Sequence, residues 1–246
     1  MFSYLRYFRR NQQESFVRNQ LLLKMYPNRQ VYEIFGKLDY HRFFASGEFA
    51  AQSIHSVLKP YFSAEKPAVL DLGCGLSRVL NPLKKWYPEG TFHGCDLDGD
   101  MIQWNARHFP ENHYTVNLLD HPLPYSDQSF DLVFSLSVVT HLDADSIRIL
   151  FGEVSRILKP GGFYLFTTID DFYASRNLYG KEREAFYAGQ PVLRPYKDGS
   201  RLFTSYTPTI WIISQLPDSL TLQVHHPGAD LQIAGSQDVL VVRKKG

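Results

Sequence analysis

A glycine turn and two carboxylates are the residues whose types and spacing point to chemistry. An apolar strand with the sequence VLDLGCG spans residues 69–75; it contains Asp71 and ends in Gly73 and Gly75. Glycines at a strand-to-helix turn let the backbone approach a ligand closely, because no Cβ is in the way. Asp96 ends the next apolar strand, where an acid accepts hydrogen bonds from both hydroxyls of a ribose. The pattern predicts a site for a nucleoside-containing cofactor.

The charge of Asp71 narrows the choice of cofactor. Asp71 lies two residues before Gly73, where a carboxylate would repel a pyrophosphate and attract the ammonium group of an amino acid. The dinucleotide fingerprint G-x-G-x-x-G also fails, since its last glycine is replaced by Arg78. Both features favour an amino acid joined to adenosine, as in S-adenosylmethionine.

Alternating strands and helices must position these residues. Apolar segments predict strands at residues 68–72, 91–96, 113–118, 130–136, 163–168, 221–226 and 239–243, and helices at 76–86, 101–109 and 145–158. Short strand-to-helix connections are typical of right-handed crossovers in a parallel sheet, and the last two strands are expected to form a hairpin on the sheet edge. The sequence therefore predicts an α/β fold. It is a Rossmann-like, seven-stranded, mostly parallel sheet with an antiparallel C-terminal hairpin and N-terminal helices.

Four motifs carry a resemblance to a known family. They are VLDLGCG (69–75), GCDLDGDMI (94–102), LPYSDQSFDLVFSLSVVTHL (123–142) and EVSRILKPGGFYLFTT (153–168). In this order and spacing the sequence resembles the class I S-adenosylmethionine-dependent methyltransferases, in the small-molecule group, over residues 66–168. One departure is Ser77, which stands where the family often has a third glycine and which we expect to cap the following helix.

The resemblance implies which residues bind the methionine part of S-adenosylmethionine. The backbone of Gly73, Cys74 and Gly75 would lie along it, and Asp71 would orient its ammonium group directly or through water. The carbonyl of Ser135, at the end of the fourth strand, would face the sulfonium.

The same resemblance implies which residues bind the adenosine. Asp96 would hold the ribose hydroxyls, and Leu97 would pack against the adenine face. Asn117 or Leu118 would contact the adenine edge, with residues 119–120 as competitors for that contact.

The flanking segments are expected to complete the site. We predict an N-terminal helical lid over residues 1–60 and a methyltransferase core over 61–246, with an acceptor-pocket insert at about 170–215. Ser46 and Gly47 would contact the cofactor carboxylate, with simple helix packing as the alternative. Phe43 or Phe44 would shield the methyl group. The insert offers aromatic and basic pocket residues, whose arginines favour an anionic or sugar-like acceptor: Phe172, Tyr173, Arg176, Tyr179, Arg183, Phe186, Tyr187, Arg194 and Tyr196.

His141 is the candidate catalytic residue. It follows the fourth strand, in a segment expected to cross the mouth of the cofactor cleft, and histidine accepts a proton near neutral pH. The alternative is a structural role, in which His141 caps the next helix or packs.

Charge and cysteine content exclude some functions. The chain has 26 Lys+Arg against 25 Asp+Glu, which argues against a nucleic acid partner bound by bulk charge. Residues 1–30 hold six basic residues and one acid, which fits either a packed amphipathic helix or a weak contact with an anionic membrane surface or acidic substrate. Cys74 and Cys95 are too few for a zinc site, Asp96–Asp100 lacks the calcium-loop pattern, and Asp170-Asp171 lacks partner acids, so we predict no metal.

The predicted function is methyl transfer to a small-molecule acceptor, with a hydroxyl oxygen as the leading choice. The amino-methylating signature [ND]-P-P-[YF] is replaced by Phe134-Ser135-Leu136-Ser137, which argues against amino groups. One alternative is methylation of a lipid or quinone at a membrane surface, and another is a cofactor-binding module without turnover. No apolar run reaches the roughly 20 residues of a membrane span, and the N-terminus lacks a signal-peptide pattern, so a cytoplasmic location is expected.

Overall fold

The computed structural model describes residues 26–118, 121–195 and 203–246. The strands are β1 (Ala68–Leu72), β2 (Thr91–Asp96), β3 (His113–Val116), β4 (Phe130–Ser135), β5 (Leu158–Thr168), β6 (Val192–Pro195), β7 (Phe203–Tyr206), β8 (Leu220–His226) and β9 (Asp238–Lys244). Seven of them form one sheet in the order β3-β2-β1-β4-β5-β9-β8, and β6 pairs with β7 separately.

The strand directions confirm the predicted fold class. Strands β1 to β5 pair in parallel, while β9 is antiparallel to both β5 and β8. The C-terminal pair is therefore a hairpin, as predicted, with β9 inside the sheet and β8 at its edge. Because the parallel strands share one direction, the carboxyl ends of β1, β2 and β4 meet at one edge, where the candidate site lies.

Eight α-helices surround the sheet in the described part of the chain. They are α1 (Asn28–Phe35), α2 (Tyr40–Leu58), α3 (Leu80–Leu83), α4 (Gly99–His108), α5 (Ala144–Ile157), α6 (Asp171–Asn177), α7 (Gly180–Tyr187) and α8 (Thr209–Ser214). No described helix has both the length and the apolar character that crossing a membrane requires. Residues 1–25, which carry most of the predicted basic segment, lie outside the described residues.

The helix predicted over residues 76–86 is wrong in its first turn. Residues 76–79 form turns, because Ser77 adopts a left-handed backbone with φ +55°. Helix α3 starts at Leu80 and continues as a 3-10 turn, Lys84–Trp86. Pro82 fits in this helix because it lies in the first helical turn, where backbone N–H groups lack helical partners. Ser77 does not cap α3 either, since no side chain caps that helix.

Side-chain alternation along the strands builds a core on each face of the sheet. Val69, Phe134 and Val241 face the core that includes Ile54 of α2. The opposite core forms around α5 and includes Leu70, Val133, Tyr164, Phe151 and Leu240. Both faces of β1 and β4 are thus buried, which holds their carboxyl ends at fixed positions.

The N-terminal helices pack over the site edge. Val31 of α1 and Phe43 of α2 share a buried cluster with Leu76, from the turn after β1, and Met101 of α4. Ile54 of the same helix α2 lies in the core that contains Val69 and Phe134. Helix α2 therefore connects the N-terminal cluster to the sheet. The division of the chain at residue 60 remains a prediction.

Candidate functional site

The glycine turn after β1 has the tight geometry that its sequence predicts. Gly73 and Gly75 have left-handed backbones, with φ +80° and +50°. A Cβ on Gly73 would lie 2.4 Å from Cγ2 of Val138, and one on Gly75 would lie 2.9 Å from Cδ1 of Ile34. Both positions therefore require glycine, and side chains from α1 and from the segment after β4 cover the turn.

Asp96 ties this turn to the start of α4. Its Oδ2 accepts a hydrogen bond from the amide of Gly75 at 2.9 Å, and its Oδ1 accepts one from the amide of Asp98 at 3.0 Å. The amides of Gly73 and Cys74 donate to the carbonyl of Cys95 at 2.8 and 3.0 Å. A carboxylate has about four acceptor sites. Asp96 therefore retains capacity for the hydroxyls of a ligand.

Asp71 is a carboxylate buried beside the glycine turn. Its side chain is 4% exposed, and no hydrogen bond or ion pair reaches it from any described residue. Burial, followed by repulsion from Asp96, raises the pKa of Asp71 well above its ordinary value, while the positive charge of Arg78 opposes the rise. Burying a carboxylate is costly unless a cation or donor group compensates it. The site therefore favours a positively charged ligand group beside Asp71.

Arg78 is a site residue that the sequence reasoning missed. Its Nη1 donates to Oγ of Ser46 at 2.9 Å, and its guanidinium carbon lies 5.7 Å from the ring centre of Phe43. Burial lowers the pKa of Arg78, and the charge of Asp71 raises it. The sequence does show a basic residue three positions after Gly75. We used it only as the residue that replaces the last glycine of the dinucleotide fingerprint.

Ser46 and Gly47 of α2 both contact Arg78, which follows the glycine turn. Ser46 Oγ accepts from the guanidinium and donates to the carbonyl of Phe43 at 2.8 Å. A Cβ on Gly47 would lie 2.2 Å from the carbonyl oxygen of Arg78, so glycine lets α2 approach the turn. Phe43 is fully buried and meets the ring of Phe44 edge-on at 5.4 Å, so the predicted methyl shield is part of an aromatic cluster.

The predicted adenine residues lie beside Asp96 at the ends of β2 and β3. Leu97 is 48% exposed and Leu118 is 56% exposed. The backbone amide of Asn117 donates to the carbonyl of Asp96 at 3.1 Å, while its side-chain Oδ1 is buried and has no hydrogen bond from any described residue. Exposed apolar side chains next to an unused acceptor suit a purine that carries an amino group. The competitors at 119–120 lie outside the described residues.

Hydrogen bonds fix the segment after β4. Ser135 shares a buried 2.7 Å hydrogen bond with the hydroxyl of Tyr164, so its side chain serves the core. Ser137 has a left-handed backbone, with φ +59°, and its amide donates to Oγ1 of Thr167 at 2.8 Å. Both hydroxyls, of Ser137 and Thr167, donate to Oε1 of Gln237 at 3.1 and 2.7 Å. This network holds the chain that carries Val138 over the turn.

His141 ends a 3-10 turn, Val139–His141, that follows this segment. Its amide donates to the carbonyl of Val138 at 2.9 Å, and its side chain is half-buried. The turn packs against β5 and against β7 of the insert. His141 thus lies between the sheet edge and the insert, and its catalytic role remains a prediction.

The described arginines of the insert interact with other residues of the insert. Arg194 forms an ion pair with Glu182, which lowers the pKa of that carboxyl and offsets the charge of the arginine. The guanidinium of Arg176 stacks 3.8 Å from the ring centre of Phe172. Tyr196 lies outside the described residues. The charge of Arg194 is thus offset while that of Arg176 is not, and the anionic or sugar-like acceptor stays a prediction.

A second polar cluster joins the ends of β5, β8 and β9. Nε2 of His225 lies 2.6 Å from Oδ2 of Asp238, and Asp170 Oδ2 accepts from the amide of Thr209 at 2.9 Å. One ligand atom from each of Asp170, His225 and Asp238 lies within 4.8 Å of the others, a spacing that suits a metal ion. The sequence analysis considered Asp170 as a metal ligand only together with Asp171. His225 and Asp238 lie far from Asp170 in the sequence, so the cluster could not be predicted.

Fold and site together define the class of protein. An open, mostly parallel sheet with a glycine turn after its first strand and an acid after the second is a Rossmann-like domain for a nucleoside-containing cofactor. Residues 70–166 match the family model described as "Methyltransferase domain". An S-adenosylmethionine-dependent methyltransferase from Mesorhizobium loti has the same fold, with a TM-score of 0.57 and 18% identity, over 78% of this chain and 98% of that one. Residues 70–166 thus form a methyltransferase domain, and its fold is that of S-adenosylmethionine-dependent methyltransferases.

Curated relatives match parts of the chain. A malonyl-[acyl-carrier protein] O-methyltransferase from Hahella chejuensis is 33% identical over 41% of this chain and 36% of the relative. A ubiquinone biosynthesis O-methyltransferase from Hydrogenovibrio crunogenus is 26% identical over 63% of this chain and 64% of the relative. A tRNA N(3)-cytidine methyltransferase from Gallus gallus is 28% identical over 50% of this chain and 36% of the relative. The chain spans between about a third and two thirds of these relatives, and the argument against nucleic acid remains a prediction.

Proposed function

We propose that the protein transfers the methyl group of S-adenosylmethionine to an oxygen atom of a small-molecule acceptor. The observation that carries the choice of cofactor is Asp71, a buried carboxylate beside the glycine turn that forms no hydrogen bond or ion pair with any described residue. The ammonium group of the methionine part would compensate its charge, directly or through water. A pyrophosphate beside Asp71 would instead be repelled, because both groups are negatively charged.

The remaining cofactor contacts follow from unused polar groups and exposed apolar side chains. Asp96 would accept from the ribose hydroxyls, since its two oxygens hold one backbone amide each. Asn117 would accept from the amino group of adenine through its unused Oδ1. Leu97 would cover one face of the ring, and the backbone of Gly73, Cys74 and Gly75 would lie along the methionine part.

Catalysis would rest mainly on positioning. The bound cofactor supplies an electrophilic methyl group, and holding two reactants in line supplies up to about 7–11 kcal/mol of the barrier. His141 would accept the proton of the acceptor hydroxyl, which adds about 10²–10⁴-fold. Its place between the sheet edge and the insert supports this role, because the insert would form the acceptor side.

Two of the relatives support oxygen as the methylated atom, since both are named O-methyltransferases. An apolar acceptor such as a lipid or quinone is the second candidate. It is favoured by exposed apolar side chains on the insert and α8, where Tyr179 is 69% exposed and Ile210 is 73% exposed.

Labelled methyl transfer tests the proposal. The protein would be incubated with methyl-labelled S-adenosylmethionine and cell extract, and the products separated into water-soluble small molecules, lipids, and macromolecules. Label in an ether or ester of a small molecule supports the proposal. Label in lipid or RNA selects another acceptor, and cofactor binding without transfer indicates a non-catalytic module. Asp96→Asn serves as the control with impaired cofactor binding.

A further inference from the structure

The cluster of Asp170, His225 and Asp238 brings metal-binding side chains together from three parts of the chain. Asp170 follows β5, His225 lies in β8, and Asp238 begins β9. One ligand atom from each residue lies within 4.8 Å of the other two. Asp238 is buried, and the other two residues are half-buried. Water therefore screens the charges of this cluster only in part.

The cluster carries more negative than positive charge. Two carboxylates share one imidazole, whose Nε2 lies 2.6 Å from Oδ2 of Asp238, so even a protonated imidazole leaves one negative charge. No described lysine or arginine forms an ion pair with Asp170 or Asp238. Carboxylates this close repel each other, and a cation in contact with both removes the repulsion. The charge balance therefore favours a bound cation.

A buried hydroxyl opposite Asp238 points to a ligand independently. Thr168 of β5 pairs directly with Asp238 of β9, so the two side chains lie on the same face of the sheet. Thr168 is fully buried, and its Oγ1 has no hydrogen bond from any described residue. Because a buried polar group without a hydrogen bond is costly, this hydroxyl indicates a further polar group beside the cluster. A water molecule bound to a metal ion is such a group.

The types of ligand atom select the class of metal. Calcium and magnesium prefer oxygen ligands alone, whereas imidazole suits zinc and other divalent transition metals. Three protein ligands and one open position for water are typical of a zinc site that is not closed. Atoms bound to one zinc ion lie about 3.4 Å apart in a tetrahedral arrangement, so shifts of about 1 Å would suffice here. The metal bonds would then replace the hydrogen bond between His225 and Asp238.

We propose that Asp170, His225 and Asp238 bind one divalent transition-metal ion, such as zinc, which joins the insert to the sheet. Thr209, the first residue of α8, is the positioning residue. Its amide donates to Oδ2 of Asp170 at 2.9 Å, and its hydroxyl donates to the same oxygen. The site does not depend on the cofactor and goes beyond the proposed function. It departs from the sequence-based expectation of no metal, which considered Asp170 only beside Asp171.

Calorimetry with zinc chloride tests the proposal on the full chain without an affinity tag, after a chelator has removed bound metal. We expect one zinc ion per chain in the parent protein. Asp170→Asn and His225→Gln should each weaken zinc binding by about 100-fold or more, because even the hydrogen-bonding partners of metal ligands are worth about 10–100-fold. Zinc at about 100 times its Kd should raise the melting temperature of the parent by about 5–10 °C.

Two matched variants control for lost charge and lost imidazole. Asp171→Asn removes the same charge from the exposed neighbour of Asp170. His226→Gln removes an imidazole from the next position of β8, where the side chain lies on the opposite face of the sheet. Both variants are expected to bind zinc within about twofold of the parent.

The outcomes decide whether the cluster is a metal site or only a hydrogen-bonded network. Absence of zinc binding in the parent overturns the proposal, and so does zinc binding that persists unchanged in Asp170→Asn and His225→Gln. Tighter binding of calcium or magnesium than of zinc overturns the class of metal. If both ligand variants fail to fold, Thr209→Val decides, because it removes the hydroxyl that holds Asp170 and keeps all three ligands. Zinc binding about tenfold weaker in Thr209→Val then supports the proposal, and unchanged binding overturns it.

Discussion

Replacing Asp71 by asparagine is expected to stabilise the free protein while weakening cofactor binding. The carboxylate is 4% exposed and has no hydrogen bond or ion pair from the described residues. A buried polar group without a partner costs about 1–3 kcal/mol, and a charged group costs more. Asparagine has nearly the same shape and no charge, so we expect Asp71→Asn to raise the free energy of unfolding by about 1–2 kcal/mol near neutral pH.

The direction of the pKa shift determines how the stability difference between Asp71→Asn and the parent changes with pH. The pKa of Asp71 is raised above its ordinary value of 3.8, so the folded protein holds this proton more tightly than the unfolded chain. The resulting stability is fully present below pH 3.8 and is lost as the pH rises through the folded-state pKa. The advantage of Asp71→Asn over the parent should therefore grow as the pH rises from acid to neutral.

Urea unfolding at several pH values, with calorimetry of S-adenosylhomocysteine binding, checks both parts. We expect the variant to bind this ligand about 10–100-fold more weakly, because a charge-assisted hydrogen bond to the ammonium is lost. Glu65→Gln removes a charge from an exposed position and should change neither property. The reasoning is refuted if Asp71→Asn is less stable than the parent at neutral pH, or if its ligand affinity is unchanged.

Further predictions concern the cofactor site, catalysis and stability. Asp96→Ala should abolish S-adenosylhomocysteine binding in calorimetry and also lower the melting temperature, because its carboxylate holds two backbone amides. His141→Ala and His141→Gln should each lower turnover by about tenfold or more with cofactor affinity nearly unchanged, measured as kcat and Kd; a parallel fall in both would make the residue structural. Burial and the charge of His113 lower the pKa of His93 to about 4 from 6.5, so stability should fall as the pH drops from 6.5 towards 4, and less so in His93→Leu. Ser77→Gly should raise the melting temperature because φ is +55°, whereas Ser77→Ala should not.

Sequence reasoning predicted the sheet well because its signals are local. The bounds of β1 and β2 match the predicted strands, since each is a short apolar run that ends in a glycine turn or an acid. Both glycines of the turn after β1 have the left-handed backbone that their position implies. Local patterns of this kind depend on neighbours in the chain, which a single sequence contains.

The unpredicted features depend on residues that are distant in sequence. Arg78 contacts Ser46, which lies 32 positions earlier in the chain, and the sequence gives no sign of that contact. His225 and Asp238 meet Asp170 only because β9 lies inside the sheet, between β5 and β8. Hydrophobic patterns predict which strands exist, but they contain little information about which polar side chains their ends bring together.

Side chains from two parts of the chain cover the glycine turn, while the lid over residues 1–60 stays a prediction. Cδ1 of Ile34 lies 2.9 Å from the position of a Cβ on Gly75, and Cγ2 of Val138 lies 2.4 Å from that of a Cβ on Gly73. Val138 belongs to a segment held by several hydrogen bonds, whereas α1 has eight residues, of which only Val31 is fully buried. Among the described residues, the N-terminal side of the cover is therefore the one with fewer fully buried side chains.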